Sequence, residues 1–483
     1  MKRYTPIGGP IIAGLCLFVA VQHAVFFLAW IALVPVLIPL FGRFKLTPFR
    51  AGLIMGAAFS CCAFGWMISG VHAFTGLSAA YGVALFLISV LLFSFGCAVV
   101  LWIAFRFRDP LYIASVWVLA EVLVQWAAGG LPWFLFHAGN TLSNNLYAIQ
   151  PASLTGVAGL SFMVVLVNCL IAKAIANRTY KKLWIPCAVF IVYMCVGWLL
   201  LILFDQRINN APVFKLSILQ QNIPPEVQWD QQNGNVLVQQ LLQQERRCVA
   251  QRPNMILWCE SAIPWTYSPN DDLVRELLHN SDASNISHIL GMNTAVSEDV
   301  VGNSAYCLLP GGKLAGRYDK VTPLLFIEEP WHGLLLSFFS ANGYSVLPGN
   351  NNYPLSTPYG KAGILICNES ALPASAASTV RHGAQFLLNL SNDGWFRNTY
   401  LVSGHFYNAR LRAVETRKDM AINSNNGWCG MVSASGRIDH ADLVTMRPND
   451  CKTMAVRYPL LPAFICLCIV LFTIIIHQKT KAT

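Results

Sequence analysis

Three short words in the sequence end on side chains suited to acyl chemistry: Glu260 in "LWCESAIP", Lys320 in "RYDKVTP" and Cys367 in "ILICNES". A thiol is mostly protonated near neutral pH. It becomes a strong nucleophile when a base takes its proton or a cation stabilises the thiolate. A carboxylate can be that base, and an ammonium group can hold first the thiolate and then the oxyanion of a tetrahedral intermediate. Taken singly, the three are ordinary. A strand-end cysteine fills a core, a glutamate before "SAIP" caps a helix or faces water, and a turn lysine is solvated. Functional groups of α/β sheets gather at the carboxyl ends of strands, and here a base, a cation and a nucleophile occupy three such ends.

The elements that must position them follow from hydrophobic patterning. From about residue 211 onward, short apolar runs alternate with polar helical stretches. "VFKLSILQQN" (213–222), "NMILWCES" (254–261), "ISHILGMNTAV" (286–296), "KAGILICNE" (361–369) and "AQFLLNLSND" (384–393) read as strands. "NGNVLVQQLLQQERRCVAQ" (233–251), residues 371–383 and "GHFYNARLRAVETRKD" (404–419) read as helices. "NSAYCLLPGGKLAGRYDK" (303–320) predicts a hairpin turning at Gly311-Gly312, where positive φ is needed. A second hairpin is expected in "MAINSNNGWCGMVSASGRID" (420–439). Strands interleaved with helices predict an α/β sandwich over residues 211–455. No GxGxxG or phosphate loop is present, which argues against nucleotide chemistry.

The rest of the chain is different. Of 483 residues, 55% are hydrophobic and 12% charged, where a soluble protein carries roughly a quarter charged. Residues 1–204 hold 11 Lys/Arg against two acids, Asp109 and Glu121, while residues 205–483 hold 22 against 21. The formal charge of +10 therefore sits in the apolar half, and no basic stripe with exposed aromatics suggests nucleic acid. Segments long enough to cross a bilayer, which takes about 20 apolar residues, fall near 7–22, 24–41, 51–71, 80–105, 111–128, 155–176, 184–204 and 459–476. Residues 1–204 are thus read as a membrane domain of seven helices, with an eighth at 459–476. The opening stretch is read as a retained helix rather than a cleaved signal peptide.

Lys and Arg at 2–3, 43–50, 106–108, 173–182 and 479–481 alternate with connections near 23, 72–79 and 129–154 that contain none. By the positive-inside rule both termini are cytoplasmic and the α/β domain lies outside. Glu121 lies within a span, where an acid is costly and is by default a functional candidate. The competing reading pairs it with Arg106, Arg108 or a backbone group. Fifteen cysteines show no CxxC or Cys/His spacing, so no metal site is expected.

With their flanking words, the three strand ends resemble the nitrilase (carbon–nitrogen hydrolase) superfamily, and within it the apolipoprotein N-acyltransferase family. "WCESAIP" is similar to the family's W-P-E-[ST/A]-A-x-P, with Cys259 in place of proline. "RYDKVTPLLFIEE" is similar to Y-x-K-x-x-L-V-P-F-G-E, and "ILQQNIPPEVQWD" to the family stretch that ends on a tryptophan, here Trp229. "LSNDGWF", "GHFYNARLRAVET" and "NSNNGW" match later signatures, and "VWVLAEVLVQWAAGGLPWFLFHAGN" matches one in the membrane half. Two departures stand out: Asn368 follows the cysteine where the family usually has tyrosine, and "LLFIEE" lacks the usual proline and glycine.

The resemblance implies an αββα sandwich carrying a Glu260–Lys320–Cys367 triad, supported by Glu328, Glu369, Asn368 and Trp229. It implies a bacterial inner-membrane, multi-pass acyltransferase, monomeric and without cofactor, with its catalytic domain in the periplasm. A phospholipid would donate an acyl chain through a Cys367 thioester, and a diacylglyceryl-cysteine lipoprotein would accept it on its N-terminal amine. Trp331, Phe326 and "HGLLLSFF" (332–339) are read either as a lid reaching the bilayer or as a core helix. Two other readings stay open. One is a membrane-anchored nitrilase-type amidase or acyltransferase with a different substrate, like the homologues of conjugal-transfer systems. The other is a non-catalytic ligand-binding membrane protein.

Overall fold

The structure, a computed structural model, describes residues 7–42, 46–75, 78–208, 212–224, 227, 229–325, 327–329, 345–396 and 399–482. Two compact units emerge: residues 1–129, 133–202 and 458–483 form one, and residues 130–132 and 203–457 the other.

The first unit is helical. Among the described residues, six helices are long and apolar enough to cross a membrane: Pro48–His72, Ala79–Ala104, Pro110–Ala127, Ala152–Ala176, Tyr180–Gln206 and Leu461–Thr480. The first two expected spans form shorter apolar helices, Gly8–His23 and Phe26–Phe41. The second of these is interrupted after Ala29 and resumes at Val34, with Pro35 in its new first turn. Such a break frees backbone groups that hydrocarbon cannot solvate. Buried Asn168 satisfies them, accepting from the Leu33 N–H at 2.9 Å and donating to the Ala29 carbonyl at 2.9 Å.

Glu121, 9% exposed, accepts from the Trp117 indole N–H at 2.7 Å and the Ala138 backbone N–H at 2.7 Å, and its other oxygen meets His137 Nδ1 at 3.2 Å. Its partners among the described residues are therefore a backbone group and two ring nitrogens, rather than Arg106 or Arg108.

The second unit is built on two sheets. The first holds β1 (Phe214–Ile218), β2 (Met255–Leu257), β3 (Ser287–Ala295), β4 (Val300–Leu308), β5 (Leu314–Asp319), β6 (Ser345–Val346) and, from the far end of the chain, β13 (Leu443–Met446). Its order is β13-β1-β2-β3-β4-β5, with β6 beside β4. The second sheet holds β7 (Leu355–Thr357), β8 (Gly360–Ile366), β9 (Phe386–Asn392), β10 (Met420–Asn425), β11 (Gly430–Val432) and β12 (Ile438–Asp439), ordered β12-β11-β10-β9-β8-β7. Each sheet has a parallel centre, β1-β2-β3 and β8-β9-β10, flanked by antiparallel strands. The β4–β5 hairpin turns at Gly311 and Gly312, with φ of 76° and 74° as the turn requires.

Side-chain alternation sorts the strands into layers. On β8, Ala362, Ile364 and Ile366 face Phe214, Leu216, Met255 and Leu257 of the other sheet, while Leu365 faces a helical layer. Between them, Gly363 leaves no room for a side chain: a methyl there would lie within 2.9 Å of Leu387, Thr379 and Ala384. The helices Pro373–Arg381 and Tyr400–Thr416 cover the second sheet, and Gly234–Ala250 and Asp272–Asp282 the first. Leu237, Leu241, Leu242 and Cys248 repeat at helical spacing and give Gly234–Ala250 its buried stripe. The result is an αββα sandwich. The helix Asp272–Asp282, capped by the Asp271 carboxylate on the Val274 N–H at 2.9 Å, was not anticipated, nor was β13.

Candidate functional site

Because β2, β8 and β9 each belong to a parallel run, their carboxyl ends carry the segments that supply the site. Two of these ends turn sharply. Ser261, directly after Glu260, has φ of 48°, and Cys367 itself has φ of 50°. Left-handed backbone is unfavourable for residues with a Cβ and recurs at functional sites. At Cys367 it ends β8 and starts the short 3-10 turn Cys367–Ala371.

Glu260, 7% exposed, accepts from the Asn303 side-chain amide at 2.7 Å and, across the sandwich, from the Asn392 backbone N–H at 3.1 Å. Burial raises its pKa, with Glu328 adding to the rise; Lys320 and hydrogen bonds from Asn303 and the Cys367 thiol act against it. Lys320 follows β5 and is fully buried. Its Nζ lies 2.7 Å from Glu328 Oε2 and 3.8 Å from Glu260 Oε1. Burial alone would lower its pKa, but Glu328, Cys367 and Glu260 more than offset this, so it stays a cation. Cys367 is half-buried. Burial pushes its thiol well above the ordinary value, followed by Glu260, while Lys320 pulls it down and Asp393 and Glu328 push it up. The sulfur is thus electrostatically coupled to both the carboxylate at 260 and the ammonium at 320.

The supporting residues divide. Glu328 holds Lys320 and also accepts from the Leu324 N–H at 2.6 Å. Glu369 touches neither the lysine nor the thiol by hydrogen bond among the described residues. It accepts from Tyr318 OH at 3.0 Å, Val321 N at 2.8 Å, Thr322 N at 3.1 Å and Ile366 N at 2.8 Å. It thereby ties the segment after Lys320 to the strand that delivers Cys367. Asn368 donates to the Thr322 carbonyl at 3.0 Å across the same gap. Trp229 stands edge-on to Trp265, ring centres 5.5 Å apart, and packs against the core beneath Gly234–Ala250 and Asp272–Asp282. Phe326, Trp331 and residues 332–339 lie outside the described residues.

Three further side chains enter the site without having been singled out: Asn303 on Glu260, and the pair Asp393 and His405, which reaches the Cys367 carbonyl. Asn303 had a readable signal, since an amide inside an apolar strand requires a partner. Asp393 and His405 lie within the words "LSNDGWF" and "GHFYNARLRAVET" but are 12 residues apart, so their pairing is not readable from order. Among the described residues, no group of three or more His, Cys, Asp or Glu is placed to hold a metal ion, and all fifteen cysteines are free.

Comparison with known proteins gives the same division of the chain. Residues 13–170 match the model of the apolipoprotein N-acyltransferase N-terminal domain, and residues 215–441 that of carbon-nitrogen hydrolase, in that order. The apolipoprotein N-acyltransferase of Geobacter metallireducens is 27% identical over 85% of this chain and 82% of its own. That of Gloeobacter violaceus is 24% identical over 85% and 80%. The chain is similar to the apolipoprotein N-acyltransferases over most of its length. It is an enzyme of the carbon-nitrogen hydrolase superfamily with a set of apolar membrane helices, and the resemblance carried by the sequence words is borne out. A solved carbon-nitrogen hydrolase from Helicobacter pylori G27 aligns with 52% of this chain and 94% of its own, at 17% identity and a TM-score of 0.37. Glu260, Lys320, Cys367, Asp393 and His405 all fall inside the carbon-nitrogen hydrolase match.

Proposed function

We propose that this protein acts as an apolipoprotein N-acyltransferase, moving an acyl chain from a phospholipid to the N-terminal amine of a diacylglyceryl-cysteine lipoprotein through a thioester on Cys367. Glu260 takes the thiol proton, and the thiolate attacks the ester carbonyl. The oxyanion forms beside the Lys320 ammonium. Collapse expels the lysophospholipid alkoxide, which recovers the proton from Glu260. The lipoprotein amine then attacks the thioester, Glu260 accepts its proton, the Cys367 thiolate leaves, and an amide results. Glu328 keeps the lysine charged, and Glu369 and Asn368 brace the two segments that carry Lys320 and Cys367.

The observation that carries this reading is the fully buried Lys320 held between Glu328 and Glu260 and coupled to the Cys367 sulfur. A buried ammonium is costly unless it is paired, and paired charges packed against a titratable thiol are the kind of cluster that gathers at functional sites. The membrane helices supply the setting, because donor and acceptor are both lipids. The distribution of Lys and Arg supports cytoplasmic termini in the inner membrane and a periplasmic sandwich.

Mass spectrometry after incubation with phospholipid should find an acyl adduct on Cys367, and Cys367→Ala should fail to complement a strain depleted of its own lipoprotein N-acyltransferase. Acylation of a lipoprotein by Cys367→Ala would overturn the mechanism. Failure of the wild-type chain to complement, despite an adduct, would point to a different acceptor.

A further inference from the structure

His405 stands in the helix Tyr400–Thr416 with both ring nitrogens engaged. Nδ1 lies 2.9 Å from Asp393 Oδ1, and Nε2 lies 2.8 Å from the backbone carbonyl of Cys367. A carbonyl accepts only, and an ionised carboxylate accepts only, whereas a neutral imidazole has a single N–H to give. Both contacts are hydrogen bonds at once only if the ring carries two protons. The Ser391 hydroxyl, 3.4 Å from Nδ1, is also 3.4 Å from Asp393 Oδ1 and is free to donate to the carboxylate. We infer that His405 is a positioning residue carried as an imidazolium between Asp393 and Cys367, where it fixes the nucleophile's strained backbone and sets a second positive charge within one residue's length of the thiol.

The backbone at Cys367 needs such a hold. Its φ of 50° is a conformation that an L side chain adopts at a cost, and its carbonyl receives both His405 Nε2 and the Ser370 hydroxyl at 3.1 Å. The electrostatics need it too. Asp393 by itself pushes the Cys367 thiol up, and a cation lying between that carboxylate and the Cys367 carbonyl offsets the push. The charged groups facing the ring are Asp393 beyond β9 and Glu260 beyond β2, with the neutral Cys367 carbonyl beyond β8, while Lys320 and Glu328 act on the Cys367 sulfur. Burial pushes His405 down, but Asp393, the Cys367 carbonyl and Glu260 outweigh it, so the net shift is upward and the cation persists to higher pH.

This rests on Cys367 being the nucleophile, so the test reads the thiol and the ring separately from acyl transfer. In the full-length protein in detergent, alkylation of Cys367 by iodoacetamide is followed against pH by mass spectrometry. Glutamine at 405 can still donate an amide N–H toward the carbonyl but has no charge. His405→Gln should move the alkylation midpoint up by about one pH unit. His405→Ala should show the same shift and a further fall of about tenfold in kcat, with KM unchanged. Histidine-selective 15N NMR of the wild type should show both ring nitrogens of His405 protonated at pH ~7. An unshifted midpoint in His405→Gln, or a ring with one N–H at that pH, overturns the inference. Acyl transfer that survives complete alkylation of Cys367 would instead defeat the reading of the nucleophile.

Discussion

Two buried carboxylates, one in each unit, show how the same group serves different ends. Glu121 among the apolar helices and Glu260 in the sandwich are almost equally hidden, 9% and 7% exposed. Glu121 is held by an indole N–H, a backbone N–H and His137, and the backbone N–H opens the turn Ala138–Leu142. Its charge is satisfied by the groups that it orders. Glu260 has two N–H donors, but it also stands 3.8 Å from a buried ammonium, and the Cys367 thiol acts on its pKa. The contrast is repeated within the site itself. Glu369 is saturated by the Tyr318 hydroxyl and three backbone N–H groups, whereas Glu260 keeps capacity for a proton. A buried acid whose lone pairs are filled by fixed donors is architecture. One left short of donors and next to a cation is available for chemistry.

That distinction is open to direct attack. The largest effect is expected from Glu260→Gln, which should lower lipoprotein acylation by ~10³-fold or more while leaving the thermal midpoint unchanged or raised. Glu369→Gln should behave in the opposite way, turning an amide NH2 toward donors and costing about 2–4 kcal/mol in stability. Equal losses of stability in the two variants would erase the contrast. Glu121→Gln should cost less, about 1–3 kcal/mol, and each molecule that remains folded should keep its activity; thermal unfolding in detergent paired with specific activity reads both.

The smallest effect concerns Glu245, buried on the helix Gly234–Ala250 with its pKa pushed up to about 7, mainly by burial. A raised folded pKa gives stability that is complete below the unfolded value of about 4.3 and is lost as pH rises through the folded value. The wild type should therefore melt lower at pH 8 than at pH 5, and Glu245→Gln should flatten that slope.

Much of the sandwich is legible in the sequence because its signals are local. The alternation of Ala362, Ile364 and Ile366, the glycine pair at 311–312 and the helical stripe from Leu237 to Cys248 each need only a few neighbouring residues. The three reactive strand ends are legible for the same reason. What stays hidden is pairing at a distance. β13 joins β1 across more than two hundred residues, and nothing in "LVTM" says so. Asn303 reaches Glu260 from another strand, and Asp393 and His405 meet only because β9 and the helix after it return to the nucleophile. The break after Ala29 is likewise set by Asn168, more than a hundred residues away.

β13 has one more consequence. Phe214, where the chain enters the first sheet, faces Met446, where it leaves, on neighbouring antiparallel strands, so the two ends stand about 5 Å apart. An insert whose doorways adjoin can be accommodated in a single connection without prising its flanks asunder. The same clasp delays closure during synthesis: the opening strand cannot find its outer neighbour until the last few have emerged, so the sandwich matures only once nearly all of it has been delivered.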